Sequence, residues 1–172
     1  MNEDPRQRRI DEMLDRHDIH QVILRLARGT DRRDSALIRS CYHEDSFDDH
    51  GAFQGTGTEF AEWVPVTLAI FAATQHFIGS PRIELEGDAA RSETYCIAHH
   101  VFPESDPEGA RDSVMALRYV DRFEREPGGE WLIRKRVCVW DYTYIVPAGE
   151  RWPWGEQYLL GQPNGADPSY TL

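Results

Sequence analysis

The periodicities along this 172-residue chain point to an α+β domain in which three N-terminal helices pack on a curved, mainly antiparallel sheet. Apolar residues recur at helical spacing until about residue 71. From His76 onward, long segments rich in Val, Ile, Tyr and Thr take over, and Gly- and Pro-containing turns separate them.

The first helix is read from Ile10, Met13, Leu14, Ile19, Val22, Ile23, Leu26 and Ala27, broken or continuous to about Arg33, with Asp18 as a candidate N-cap for its second stretch. Asp34 caps a short second helix through Leu37, Ile38 and Tyr42, and Phe47 to Phe53 reads as a strand pair around Gly51. A third helix starts at Thr58 and carries Phe60, Trp63, Val64, Leu68, Ile70 and Phe71, an apolar surface wide enough to predict burial on several sides. Four strands follow: His76 to Glu86, Ala90 to Phe102, Ser113 to Arg125, and Trp131 to Tyr144. Gly87-Asp88, Pro103 to Gly109 and Pro127-Gly128-Gly129 are the turns between them. Residues 1–146 therefore form one domain. Residues 147–172, with four prolines among Gly, Trp and Tyr, form an irregular tail that wraps the domain or a partner subunit.

At this length one core should bury roughly 70% of the unfolded chain's surface. The 30 acidic against 19 basic residues give a net charge of -11, which repels phosphate backbones and anionic lipids and argues against nucleic-acid and membrane partners. Lys135 is the only lysine and lies in the run Arg134-Lys135-Arg136, so Schiff-base chemistry is not expected. Cys41, Cys96 and Cys138 are odd in number and lack C-x-x-C spacing, which fits a reducing cytoplasm better than a disulfide framework or zinc site. No signal peptide or spanning segment is read, so the expected location is cytoplasmic.

A sheet curled around helices leaves a mouth, and chemistry is sought among the polar residues that reach it. Asp31 falls where the apolar stripe of the first helix stops, at a helix C-terminus whose dipole disfavours an acid. His76 stands between the third helix and the first long strand, beside Phe77 and Ile78. Along the next strand Ser92, Thr94, Cys96, Ala98 and His100 share one face, and Tyr95, Ile97 and His99 the other. His100 is thus favoured over His99 as the residue beside an open volume. A histidine oriented by a carboxylate suits proton abstraction from carbon or proton delivery to a leaving oxygen, and two histidines can divide base and acid duties. Arg136 alternates with Cys138 and Trp140 on the last strand and is a candidate for stabilising developing negative charge. Trp63, Phe71, Cys96, Trp140 and Tyr142 are the expected pocket walls.

The run His43-Glu44-Asp45-Ser46-Phe47-Asp48-Asp49-His50 is rich in hard ligands, but its spacing matches no established metal site and it reads as a solvated acidic edge. No metal is expected. There is no G-x-S-x-G turn, no Cys beside a His and no glycine-rich phosphate loop.

At Thr74-Gln75-His76-Phe77-Ile78-Gly79, at Thr30-Asp31-Arg32-Arg33-Asp34 and at the His-containing strand, the sequence resembles the SnoaL-like branch of the nuclear transport factor 2 superfold over residues 10–145. It is similar above all to the scytalone dehydratases, and more distantly to bile-acid 7α-dehydratases and hexachlorocyclohexane dehydrochlorinases. The resemblance implies a cone-shaped barrel, a homodimer or homotrimer, no cofactor, and an Asp31–His76 pair with His100 and Arg136 beside it. It also implies a lyase, by loss of water or halide, or an isomerase acting on a small hydrophobic alicyclic or aromatic molecule. Leu26 and Thr30 stand where those relatives carry substrate-polarising side chains. A non-catalytic subunit, like the β subunits of ring-hydroxylating dioxygenases, or a ligand-binding module is the alternative.

Overall fold

The structure, a computed structural model, describes residues 4–151 and 153–171. Helix α1 (Pro5–Arg32) is continuous, so Asp18 is an interior residue and Asp4 is the N-cap. Burial on α1 begins only at Ile19; Met13 and Leu14 are exposed. The helix stops at Arg33, which adopts a left-handed conformation (φ 53°, ψ 37°). Its guanidinium donates to the carbonyl of Phe71 at 2.7 Å and ties the helix end to the chain that leads into the sheet.

Asp34 caps α2 (Ser35–Arg39) by accepting the Leu37 N–H. β1 (Tyr42–Asp49) and β2 (Gln54–Gly55) form the expected strand pair, and Gly51 supplies the positive φ of their turn. α3 (Gly57–Thr67) starts in a capping box. Thr56 accepts the Glu59 N–H at 3.2 Å, and Glu59 accepts the Thr56 N–H at 2.7 Å. A Cβ on Gly57 would come within 2.2 Å of the Tyr42 ring, so glycine lets this helix start directly on β1. Pro65 lacks the N–H that would continue the ladder, and the chain passes through a 3₁₀ turn (Leu68–Ile70) into the sheet.

The strand expected over residues 76–86 is two strands, β3 (Ala73–Ile78) and β4 (Arg82–Glu86), both antiparallel to β5. Gly79-Ser80-Pro81 interrupts them, and Pro81 has no donor for the ladder. β3 begins three residues earlier than expected, so His76 lies inside a strand and not at a helix junction. β5 (Ala89–Val101), β6 (Arg111–Glu124) and β7 (Leu132–Pro147) form the long meander. The sheet runs in the order β2-β1-β7-β6-β5-β3, antiparallel except for β1 against β7. With the helices packed against it, this curved sheet is the expected architecture; it does not close on itself, since β2 and β3 are edges that do not meet.

The helices cover one face. Ile19, Val22, Ile23 and Leu26 of α1 and Phe60, Ala61 and Val64 of α3 share a core with Phe123, Trp131 and Ile133 of the sheet. Each Val, Leu, Ile or Phe among them contributes about 1.5–3 kcal/mol on burial. A smaller cluster of Cys96, Ala98, Leu117, Tyr119 and Cys138 continues the core along the same sheet face. The tail folds back on the C-terminal end of α1: Arg32 pairs with Asp167 at 3.0 Å, and the Tyr170 hydroxyl donates to Asp34 at 2.7 Å.

Candidate active site

Beyond the end of the core, α3, β3, β5 and β6 leave a cavity of about 220 Å³ with an almost wholly apolar wall. Phe60, Trp63, Leu68, Ile70, Phe71, Met115, Leu117 and Trp140 supply that wall, and His50, His76 and His100 are its imidazoles.

Asp31 and His76, 45 positions apart, meet because the α1 C-terminus lies along the edge of the sheet. Among the described residues β3 pairs only with β5, so on its other side it presents backbone groups without strand partners. Asp31 takes advantage of this. Its Oδ2 accepts the backbone N–H of His76 at 3.1 Å, and its Oδ1 accepts from Nδ1 of the same residue at 2.7 Å. Both side chains are largely buried, 14% and 8% exposed. The two bonds fix the ring, place its proton on Nδ1 and leave the Nε2 lone pair as the free basic position. The carboxylate is also set to stabilise the imidazolium that forms when Nε2 takes a proton.

His100 lies opposite Thr74 in the β3–β5 register, and its Nδ1 is 2.8 Å from the Thr74 hydroxyl. Its ring stacks on Phe71 at 4.6 Å and stands edge-on to His76 at 5.6 Å. Burial, reinforced by the neighbouring His76, pushes the His100 pKa down to about 4. At neutral pH it is therefore an uncharged donor and acceptor, without an imidazolium proton to deliver. His99 turns to the other face and pairs with Asp112 at 3.1 Å.

The lowered pKa of His100 links its burial to stability. Between pH 6.5 and about 4 the unfolded chain binds a proton at this residue that the folded one refuses. Stability is therefore full above pH 6.5 and declines as the pH falls, by up to about 3 kcal/mol below pH 4. Urea midpoints at pH 7 and pH 4.5 check this: His100→Gln should lose distinctly less stability on acidification than the parent chain. Equal losses would show that His100 does not contribute.

Three expected site residues lie elsewhere. Arg136 is on the inner sheet face, but directly across the ladder it meets Asp121. The guanidinium donates through Nε and Nη2 to the two Asp121 oxygens, each at 2.7 Å, and lies over the Tyr119 ring at 4.1 Å. It does not line the cavity. Burial opposes its charge, and the Asp121 carboxylate more than offsets this, so its pKa is raised well above the usual value. Cys96 is buried in the smaller core cluster, and burial lifts its thiol to about 11. Tyr142 is 58% exposed on the opposite face because one extra residue, Asp141, bulges from β7: Leu117 faces Trp140, but Ala116 faces Tyr142. Trp63, Phe71 and Trp140 do line the cavity.

The acidic run is not a solvated edge throughout. Ser46 and Asp48 point inward while Phe47 is turned out, so β1 presents polar residues to the core. Asp48 is fully buried and accepts from the Tyr42 hydroxyl and from His50 Nδ1. His50 stacks on Phe60 at 4.5 Å and lines the cavity. The signal that could have found it is the i, i+2 spacing of Asp48 and His50, which puts them on one strand face.

Comparison with known proteins is consistent with this architecture. A family model described as the SnoaL-like domain matches residues 11–137. Uncharacterized protein Rv2910c of Mycobacterium tuberculosis is 28% identical over 131 residues, covering 73% of this chain and 85% of its own. Among solved structures, the LinA-type3 hexachlorocyclohexane dehydrochlorinase of Novosphingobium barchaimii superposes with a TM-score of 0.72 at 19% identity, covering 84% of this chain and 98% of its own. A proposed scytalone dehydratase from Novosphingobium aromaticivorans gives 0.65 at 17%, covering 91% and 95%. A nuclear transport factor 2-like superfamily protein from Salmonella enterica gives 0.66 at 18%, covering 86% and 99%. At these identities the structural likeness establishes the shared fold alone.

Proposed function

The chain belongs to the SnoaL-like domain family, and from that premise we propose that it is a cofactor-independent lyase or isomerase that removes a proton from carbon in a small hydrophobic alicyclic or aromatic molecule. The observation that carries this reading is the doubly hydrogen-bonded Asp31–His76 pair at the wall of an apolar cavity. His76 Nε2 is the base, Asp31 holds its tautomer and balances the imidazolium, and neutral His100 offers a hydrogen bond to a polar atom of the substrate. In an elimination, the electrons of the broken C–H bond form the new double bond as water or halide departs; in an isomerisation, the proton returns to another carbon. The structural neighbours named for dehydrochlorinase and dehydratase activity favour elimination. Small hydrophobic molecules and further copies of this chain, in a cytoplasmic homodimer or homotrimer, are the partners that go with this reading. Phe77, Tyr95, Ile97, Tyr142 and Tyr144, exposed on the outer sheet face, are the surface on which copies would meet.

The test needs only an acidic C–H on a flat apolar molecule. 5-Nitrobenzisoxazole opens to a cyanophenol when a base takes its ring proton. The protein should accelerate this over buffer by at least about 10²-fold, the contribution of a positioned general base, and His76→Ala should remove the acceleration. A wild-type rate equal to that of buffer, or an undiminished His76→Ala rate, would reject the base and leave a non-catalytic role.

A further inference from the structure

On the wall of the cavity that His76 lines stands another imidazole with its own buried carboxylate, and we propose that His50 is the general acid that protonates the leaving group. The proposal rests on the reading of His76 as the base and adds the partner that base requires.

Asp48 is 0% exposed, and a buried carboxylate is tolerated only when donors and a counter-charge satisfy it. The adjacent cation is not available for this. Arg136 is in register with Asp48 on the neighbouring strand, but its fork is filled by Asp121. What Asp48 receives is the hydroxyl proton of Tyr42 on one oxygen and Nδ1 of His50 on the other. The Tyr42 phenol keeps its proton, because burial and then the Asp48 charge push its pKa well above the usual value. Among the described residues the His50 ring is therefore the one group, besides that phenol, that hydrogen-bonds this buried carboxylate, and a proton carried by the ring would lie against it. Asp31 differs: it has partial solvent exposure and a backbone N–H as second donor. The two pairs thus differ in how completely the carboxylate is enclosed.

His50 is positioned to deliver that proton. Its ring is clamped on Phe60 at 4.5 Å, stands 5.9 Å from Tyr119, and lines the same cavity as His76. Nδ1 is engaged by Asp48, and Nε2 makes no hydrogen bond within the described residues. His100 cannot take this role, since it is uncharged at neutral pH. His76 Nε2 takes the proton from carbon, the C–H electron pair becomes the π bond, and the C–O bond breaks. The departing oxygen takes the Nε2 proton of the His50 imidazolium and leaves as water. His76 ends protonated and His50 neutral, and one proton exchanged through solvent restores both. The substrate class this defines carries a hydroxyl next to the carbon that loses its proton, a group that departs poorly without an acid.

Two probes separate acid from base. 5-Nitrobenzisoxazole expels a good phenoxide leaving group, and unsubstituted benzisoxazole a poor one. His50→Gln, whose amide can still bond Asp48, should lower kcat/KM on the poor leaving group at least about tenfold more than on the nitro compound. Tyr42→Phe should give a smaller loss with the same selectivity, and His76→Ala should lower both alike. Equal losses on the two probes for His50→Gln would overturn the proposal and make His50 part of the wall. Absence of wild-type turnover on the nitro probe would instead reject the base, and the acid with it.

Discussion

Asp31→Asn is expected to lower kcat/KM on 5-nitrobenzisoxazole by about 10³-fold or more, with the fold intact. The reason is tautomeric as well as electrostatic. An amide at this position can still accept the His76 backbone N–H, so the edge of β3 stays capped. Toward the ring, however, it can present N–H₂, which places the imidazole proton on Nε2 and points the lone pair away from the substrate. The charge that balances an imidazolium is lost in the same substitution. Changing the orienting acid of a serine-protease triad to its amide costs about 10⁴-fold for this reason. The loss should appear in kcat, since Asp31 is not a cavity-lining residue. Asp31→Asn combined with His76→Ala should be no slower than His76→Ala alone, because groups that act as a unit are not additive. A single Asp31→Asn variant within about threefold of wild type would mean that the pair merely ties α1 to the sheet edge.

Those residues were legible in the sequence because each interrupts a strong pattern. Asp31 ends the α1 stripe, and His76 and His100 occupy buried positions among apolar or small neighbours. The helices and the meander were legible for the same reason: period 3.6 gives way to period 2, with glycine and proline at the joints. Three local devices were not. The Asp141 bulge reverses the parity of β7, so Trp140 reaches the cavity while Tyr142, two residues on, faces out. Alternation counted along the strand cannot register an inserted residue. Arg136 was placed on the correct face, but its cross-strand partner depends on the β6–β7 register, which fixes Asp121 opposite it. His50 was hidden by composition. The acidic run reads as solvated until Tyr42 and Gly57 are seen to pack α3 against β1, a contact that closes water away from Asp48.

The second large effect concerns that Arg136–Asp121 pair. Arg136→Met is expected to destabilise the fold by about 3–5 kcal/mol, because it leaves an Asp121 carboxylate with 0% side-chain exposure and no counter-charge. For a chain of this size that amounts to a fall in Tm of about 10 °C, read by thermal denaturation at neutral pH. The deficit arises from the orphaned carboxylate and not from the loss of an attractive force. Arg136→Met with Asp121→Leu should therefore recover most of it, since two apolar side chains can fill the space between Tyr119 and Tyr42 without burying any charge. The same double variant separates structural from catalytic service. If the guanidinium only neutralises Asp121, the refolded variant should turn over 5-nitrobenzisoxazole within about threefold of wild type, a probe chosen because it needs no proton donor. A folded double variant slowed by about 10²-fold would instead show that Arg136 stabilises developing charge in the cavity. It would do so by leaving Asp121 as substrate enters, a motion that abandons two 2.7 Å charge-assisted bonds in a buried site. The cost of breaking that fork without a replacement anion makes the structural outcome the expected one.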